Sequence, residues 1–261
     1  MNVRAKKHLG QHFLKDKNTC KKIAEQFGHH NGVNKAIEIG PGMGALTDFL
    51  LLDKQTDLWV MDVDRDSIAF LHANKPELAG KIIEADFLKA DVLKLMNNEP
   101  FAVLGNFPYN ISSQILFRCI ELKDHIPEIM GMFQKEVAMR VAEKPGSKTY
   151  GILSVLLQAY YDISYCFTVD EHVFDPPPKV KSGVIRCVRN DRKSLPCDEK
   201  LFKNVVKTSF NQRRKTIRNS IKVLLPETYP DNEMLQLRPE RLSVDQFVEL
   251  TQWIEMVNKP L

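Results

Sequence analysis

The 261-residue sequence predicts an α/β fold with a mostly parallel sheet, followed by a small C-terminal α-helical domain. Three observations carry that expectation. Short apolar runs alternate with helix-like stretches through the first half of the chain, which is the pattern of a doubly wound sheet. Carboxylates stand at the ends of successive runs, where the ligand crevice of such a sheet lies. Beyond residue 191 the pattern is helical, and no further strand is expected.

The elements follow in order. Residues 19–27 have helical spacing and 35–39 form a short apolar strand. A helix is expected over 44–52, a strand over 58–63, a helix over 66–73, and strands over 81–84 and 101–104. Helices follow at 112–121 and 134–141, with a core strand at 130–133 between them. An apolar stretch at 152–159 precedes a β-branched one at 180–188. Phe174-Asp175-Pro176-Pro177-Pro178 lies between these and excludes regular helix or central strand, because proline fixes φ and lacks the amide hydrogen. Residues 1–190 are therefore expected to form the main domain, opening on a basic arm at 1–22, and residues 191–261 a small helical domain.

A hydrophobic content of 43% suits a buried core, and no apolar run approaches the roughly 18 residues that cross a bilayer. The start of the chain lacks the apolar stretch of a secretion signal, so a cytoplasmic protein without membrane association is expected. Five cysteines form no C-x-x-C pair, which indicates neither a disulfide framework nor a metal site. The net charge of +4 is unevenly spread: residues 1–22 carry +6, residues 179–222 carry +11, and the remainder carries −13. Two basic segments around an acidic middle are expected where both meet a polyanion while the middle builds a small-molecule site.

Glu38-Ile39-Gly40-Pro41-Gly42-Met43-Gly44 stands where the first strand of the alternation gives way to a helix. Small residues let a ligand approach the backbone there, and the helix start offers unpaired N–H groups. Asp62 ends the next strand and is placed to accept from ribose hydroxyls; Asp86 follows the third. The pattern predicts a nucleoside site. Gly40, Gly42 and Ala45 also satisfy dinucleotide spacing, so the glycines alone leave a nicotinamide cofactor open. The acidic Glu38 disfavours a pyrophosphate and suits a cationic ligand, and S-adenosylmethionine fits better.

Leu104-Gly105-Asn106-Phe107-Pro108-Tyr109-Asn110 follows the fourth strand, whose end reaches the same crevice. The exocyclic amine of adenine is a poor nucleophile because its lone pair is delocalised into the ring. Two acceptors on that amine would aim the lone pair at a methyl carbon. The side-chain oxygen of Asn106 and the carbonyl of Phe107 or Pro108 can supply them, and Pro108 has no N–H to compete. Tyr109 can stack on the base. Positioning and fixed dipoles would then supply the rate, with the target nucleotide turned out of its helix or held in a loop.

Near residue 213 the helical stripe Phe202, Val206, Phe210, Ile217, Ile221, Leu224 skips a step. Either the helix breaks there or an arginine faces a partner. Arg213, Arg214, Lys215 and Arg218 are the candidate contacts to RNA phosphates.

Leu9-Gly10-Gln11-His12-Phe13-Leu14, "EIGPGMGALT", "LGNFPYNIS", "QKEVAMRV", "FDPPPKVKS" and "FNQRRKTIRNS" together resemble the ribosomal RNA adenine dimethyltransferase family, and its small-subunit branch in particular, from about residue 4 to about residue 222. The resemblance implies a Rossmann-like class I methyltransferase domain with a small helical domain. It implies dimethylation, by S-adenosylmethionine, of the N6 atoms of two adjacent adenosines in the loop of the 3′-terminal hairpin of 16S rRNA. The product is S-adenosylhomocysteine, the partner a small-subunit assembly intermediate, and the protein a monomer that needs no metal. By the same resemblance His12 and Leu14 contact the cofactor, Gly40 lies against its methionine part, Asp62 holds the ribose, Asp86 meets the adenine, and Asn106 faces both cofactor and acceptor. Phe174 is expected to close the target pocket and stack on the flipped adenine opposite Tyr109. The family usually has Asn where His12 stands and commonly Glu where Asp62 stands. The alternatives are the large-subunit adenine dimethylases, a non-catalytic RNA-binding assembly factor, and a nicotinamide oxidoreductase.

Overall fold

The computed structural model describes residues 5–259. Arg4 and the rest of the first four residues of the basic arm, and the last two of the expected helical domain, lie outside the described residues.

Among the described residues nine strands form two sheets: β1 (Phe13–Leu14), β2 (Lys35–Ile39), β3 (Asp57–Asp62), β4 (Ile82–Glu84), β5 (Ala102–Asn106), β6 (Glu128–Gln134), β7 (Tyr161–Val169), β8 (Phe174–Asp175) and β9 (Ser182–Arg189). Ten α-helices accompany them: α1 (Lys17–Ala24), α2 (Thr47–Leu50), α3 (Arg65–Asn74), α4 (Val92–Leu95), α5 (Ser112–Glu121), α6 (Lys135–Ala142), α7 (Ile152–Gln158), α8 (Glu199–Asn211), α9 (Ile217–Ser220) and α10 (Val244–Val257). The large sheet has seven strands in the order β4-β3-β2-β5-β6-β9-β7, and β1 pairs with β8 in a sheet of two. Strands β4, β3, β2, β5 and β6 run parallel, and β9 is antiparallel to β6. This is the α/β sheet the alternation predicts. The chain moves outward from β2 through β3 and β4, then returns to place β5 on the other side of β2. The crevice at that reversal is where such sheets bind ligands.

The central strands are apolar throughout because both faces are covered. Val103, Leu104, Ile129 and Met130 are fully buried. The helices begin where the sequence supplies an acceptor: the carboxylates of Asp16, Asp64 and Asp198 each accept an amide of the first turn of α1, α3 and α8, and Ser243 with Gln246 forms a reciprocal cap on α10.

Several elements depart from expectation. The helix expected over 44–52 is reduced to α2, because the backbone turns through Gly42 and Gly44, both with positive φ, before helical geometry begins. Strand β7 was not expected, although Tyr161, Ile163, Tyr165, Phe167 and Val169 alternate there with Asp162, Ser164, Cys166 and Thr168; it is the edge strand. The chain forms two compact units, one of residues 1–139 and 162–189, the other of residues 140–161 and 190–261. The expected boundary at 190 did not assign residues 140–161 to the second unit. They cluster there because α7, whose Leu153, Val155, Leu156 and Leu157 are buried, packs on α8 and α10. Every regular element described after residue 189 is helical.

A pair of glycines lies beneath the β5 end. Gly105 and Gly131 are opposite one another in the β5–β6 register. A Cβ on Gly105 would stand 2.6 Å from the Ile39 carbonyl oxygen, and one on Gly131 would stand 2.3 Å from the Phe107 ring and 2.6 Å from the Gly105 carbonyl oxygen. The fully buried Phe107 ring therefore rests on a floor without side chains and anchors the loop after β5. Gly131→Ala is expected to lose about 1–3 kcal/mol of stability by overpacking, measured by chemical denaturation; unchanged stability would show that the ring moves aside freely.

Candidate active site

The ends of β2, β3, β4 and β5 and the segment 9–14 surround a cavity of about 230 Å³ within the first unit. Gly40 and Gly42 form one wall, with φ of 68° and 57°. A Cβ on Gly40 would approach Pro108 to 3.5 Å and narrow the gap between the glycine turn and the loop after β5. On Gly42 it would meet the Phe13 ring at 2.9 Å.

Two carboxylates line the cavity, and among its described lining residues there is no lysine or arginine. Asp62 is nearly buried and accepts the amide of Asp64 at 2.9 Å; burial raises its pKa, partly offset by the backbone N–H groups of Asp64, Gly42 and Val63. Asp86 accepts the amide of Leu88 at 2.9 Å and keeps part of its side chain accessible.

At the end of β5 the Asn106 amide donates through Nδ2 to the His12 carbonyl at 3.0 Å. That bond orients the amide, and Oδ1 makes no hydrogen bond among the described residues, so an acceptor remains in a residue that lines the cavity. Tyr109 also lines it, with its ring 5.4 Å from that of His12 and its hydroxyl 2.5 Å from the Ser182 hydroxyl. Burial raises the Tyr109 pKa, partly offset by the Ser182 bond, which keeps the phenol neutral.

The 9–14 segment is a strap tied at several points. His12 Nδ1 lies 2.7 Å from the Pro176 carbonyl, which fixes that nitrogen as the donor. Gln11 donates to Asp64 at 2.9 Å, and Lys6 reaches Asp64 and Asp66 at 2.5 and 2.7 Å. Residues 13–14 pair with 174–175.

Of the cofactor and acceptor residues predicted from sequence, His12, Leu14, Gly40, Gly42, Asp62, Asp86, Asn106, Pro108 and Tyr109 all line this one cavity. Two do not. Glu38 is 1% exposed behind the glycine turn, where its carboxylate accepts from Thr47 Oγ1 at 2.6 Å. The cation preference ascribed to it falls instead to Asp62 and Asp86. Phe174 is 1% exposed in the hydrophobic core, opposite Leu14 in the β1–β8 pair, so the expected stacking ring is a buried anchor here. Apolar burial outweighs display at the pocket for this side chain.

The basic turn resolves as a helix break: α8 ends at Asn211 and α9 begins at Ile217. Arg214 and Lys215 are exposed. Arg213 donates to the Ser147 carbonyl at 3.3 Å and lies 3.9 Å from Glu240; Arg218 pairs with Asp231 at 2.6 Å and lies over Tyr229. Gln11, Asp64 and Ser182 were not expected at the site.

A parallel sheet that reverses beside its first strand, a glycine turn opposed to an Asn-x-Pro-Tyr loop, and carboxylates at successive strand ends define a class I methyltransferase domain. The chain belongs to the ribosomal RNA adenine dimethylase family, whose model matches residues 2–255. It is 57% identical over 254 residues to the ribosomal RNA small subunit methyltransferase A of Flavobacterium johnsoniae, covering 97% of each chain. To the protein of the same name from Parabacteroides distasonis it is 59% identical over 251 residues, covering 95% of this chain and 93% of that one. The fold is similar to that of a dimethyladenosine transferase from Plasmodium falciparum (TM-score 0.76, 22% identity, 94% and 98% covered). It is also similar to that of the 23S rRNA methyltransferase ErmE (TM-score 0.66, 25% identity, 92% and 99% covered).

Burial raises the Glu38 carboxyl from 4.5 to about 7, with Asp48 and Asp62 adding to the rise and Thr47 and Lys75 opposing it. The folded state thus keeps a proton there that the unfolded chain releases. Stability is lost as pH rises from about 4.5 through about 7 and is level above that. Glu38→Gln is expected to remove this contribution, so its pH slope of unfolding free energy in that window, measured by urea titration, should be less negative than the parent's. Equal slopes would show that Glu38 stays ionised.

Proposed function

We propose that the protein transfers methyl groups from S-adenosylmethionine to the N6 atoms of two adjacent adenosines in the loop of the 3′-terminal hairpin of 16S rRNA. It acts as a monomer on a small-subunit assembly intermediate and releases S-adenosylhomocysteine. The carrying observation is the Asn106 amide, oriented by the His12 carbonyl so that an acceptor is left in the cavity.

The cavity suits this cofactor. Its two carboxylates and lack of lysine and arginine among the described lining residues favour a cationic ligand and disfavour a pyrophosphate. This counts against the nicotinamide alternative. When bound, S-adenosylmethionine supplies an electrophilic methyl group on a positively charged sulfur. Asp62 accepts from the ribose hydroxyls, Asp86 faces the adenine end, Gly40 and Gly42 admit the methionine part, and His12 and Leu14 close the strap side. Asn106 Oδ1 and the Phe107 or Pro108 carbonyl accept the two hydrogens of the target amine, which directs its lone pair toward the methyl carbon. Tyr109 offers its ring to the base. The task of these residues is orientation by fixed dipoles.

Identity of 57–59% to proteins named for the small subunit, against 25% to a 23S rRNA methyltransferase, favours the small-subunit substrate. An assembled cavity with Asn106 in place weighs against a non-catalytic assembly factor. Arg214 and Lys215 meet RNA phosphates, with Arg213 and Arg218 shaping the turn that presents them. Among the described residues no helix is long and apolar enough to cross a membrane, and no cluster of His, Cys, Asp and Glu could hold a metal ion.

The direct test is incubation with labelled S-adenosylmethionine and unmethylated small subunits, followed by mapping of the modified nucleotides. Label on two adjacent adenosines of the hairpin loop is expected, and label elsewhere would overturn the assignment. Asn106→Ala should slow methylation by at least about 100-fold with rRNA affinity nearly unchanged. Glutamate at both Arg214 and Lys215 should weaken binding and flatten its dependence on the logarithm of salt by about 0.7–0.9 per lost phosphate contact. An unaltered slope would return this turn to a purely structural part.

A further inference from the structure

We infer that Ser182 is a positioning residue of this active site, acting through Tyr109: it fixes the phenol and withdraws its hydroxyl from contact with the target base. The inference rests on the methyl transfer proposed above.

The fold delivers Ser182 to the crevice by an unusual route. Parallel strands bring their last residues to that edge, whereas β9 runs the other way and brings its first. Ser182 pairs with Gln134, the final residue of β6, so it stands at the same edge as Asn106 although it opens a strand. The next residue locks the position. A Cβ on Gly183 would lie 2.8 Å from both the Ala138 Cβ and the Tyr165 ring, so β9 packs directly on α6 and β7 there. Ser182 itself is fully buried.

From that fixed point its Oγ lies 2.5 Å from the Tyr109 hydroxyl. The Ser182 hydroxyl is shut off from solvent, so leaving it without the phenol would be costly. The phenol is thus held at its tip while its ring lines the cavity. A free phenol beside the target would compete as a donor for the ring nitrogens of adenine or for Asn106 Oδ1. With its hydroxyl engaged, Tyr109 meets the base by its π face alone, and the ring cannot swing out of register.

Ser182→Ala, Tyr109→Phe and the double variant test this in full-length protein with unmethylated small subunits. The measurements are single-turnover methylation, S-adenosylmethionine affinity by calorimetry and thermal unfolding. Both single variants should slow methylation by about tenfold, since a displaced positioning group costs rate. Cofactor affinity should stay within about twofold, and the double variant should be no slower than either single, because all three lose the same bond. General loosening would lower cofactor affinity as well. Full methylation rate in folded Ser182→Ala, or multiplying losses in the double variant, would overturn the inference. If Ser182→Ala does not fold, Tyr109→Phe decides: the same rate loss at unchanged cofactor affinity supports the inference, and none overturns it. A parent protein that labels no adenosine would overturn the proposed function itself, and the role of Ser182 with it.

Discussion

The ends of β2 and β5 can approach one another because residue 105 has no side chain: a Cβ there would stand 2.6 Å from the Ile39 carbonyl oxygen. This separation sets how far the glycine turn after β2 stands from the Asn-Phe-Pro-Tyr loop after β5. Gly131 on the neighbouring strand extends the same floor, and the Phe107 ring settles on both. Asn106 and Pro108, on either side of that ring, are therefore fixed by core packing. A donor pocket and an acceptor pocket can share one wall because the sheet beneath is thin at this place.

Electrostatics add the selectivity. The cavity presents carboxylates from two strand ends and no described cationic side chain, so a sulfonium and an amino group are drawn in and phosphates are disfavoured. Glu38 takes no part in this: it stands behind the turn, outside the cavity, as a buried and Thr47-bonded group whose ionisation is resisted by its surroundings. The basic character of the chain is expressed elsewhere, in the exposed Arg214–Lys215 turn of the second unit. The acidic cavity and the exposed basic turn are thus carried by different stretches, in keeping with the uneven charge along the sequence.

The sheet was legible because its central strands are apolar on both faces, and a period-two pattern or a continuous run survives in a single sequence. The cavity was legible because strand ends in a doubly wound sheet converge on one edge, so Asp62, Asp86 and Asn106 could be grouped before any coordinate was known. Edge strand β7 carries the same period-two signal, with Tyr161, Ile163, Tyr165, Phe167 and Val169 alternating with polar or small residues, so nothing physical in the sequence hid it. Phe174 was misjudged because its fate depends on a two-residue pairing with Leu14 across the chain. Ser182 shares the difficulty: its partner is 73 residues away. Glu38 was placed on the right strand, but whether a side chain there faces ligand or core depends on packing that spacing does not encode.

Among the described residues the strap over the cavity is joined to the rest by a ladder of two residue pairs, by polar ties from Lys6, Gln11 and His12, and by the buried Leu14 side chain. The opposite wall belongs to a seven-stranded sheet. Of two walls so unequal in strength the weaker opens first, so local loosening is expected at the strap before the strand that ends in Asn106. Because the Asn106 amide is held by the strap's own backbone, such loosening would also release its orientation.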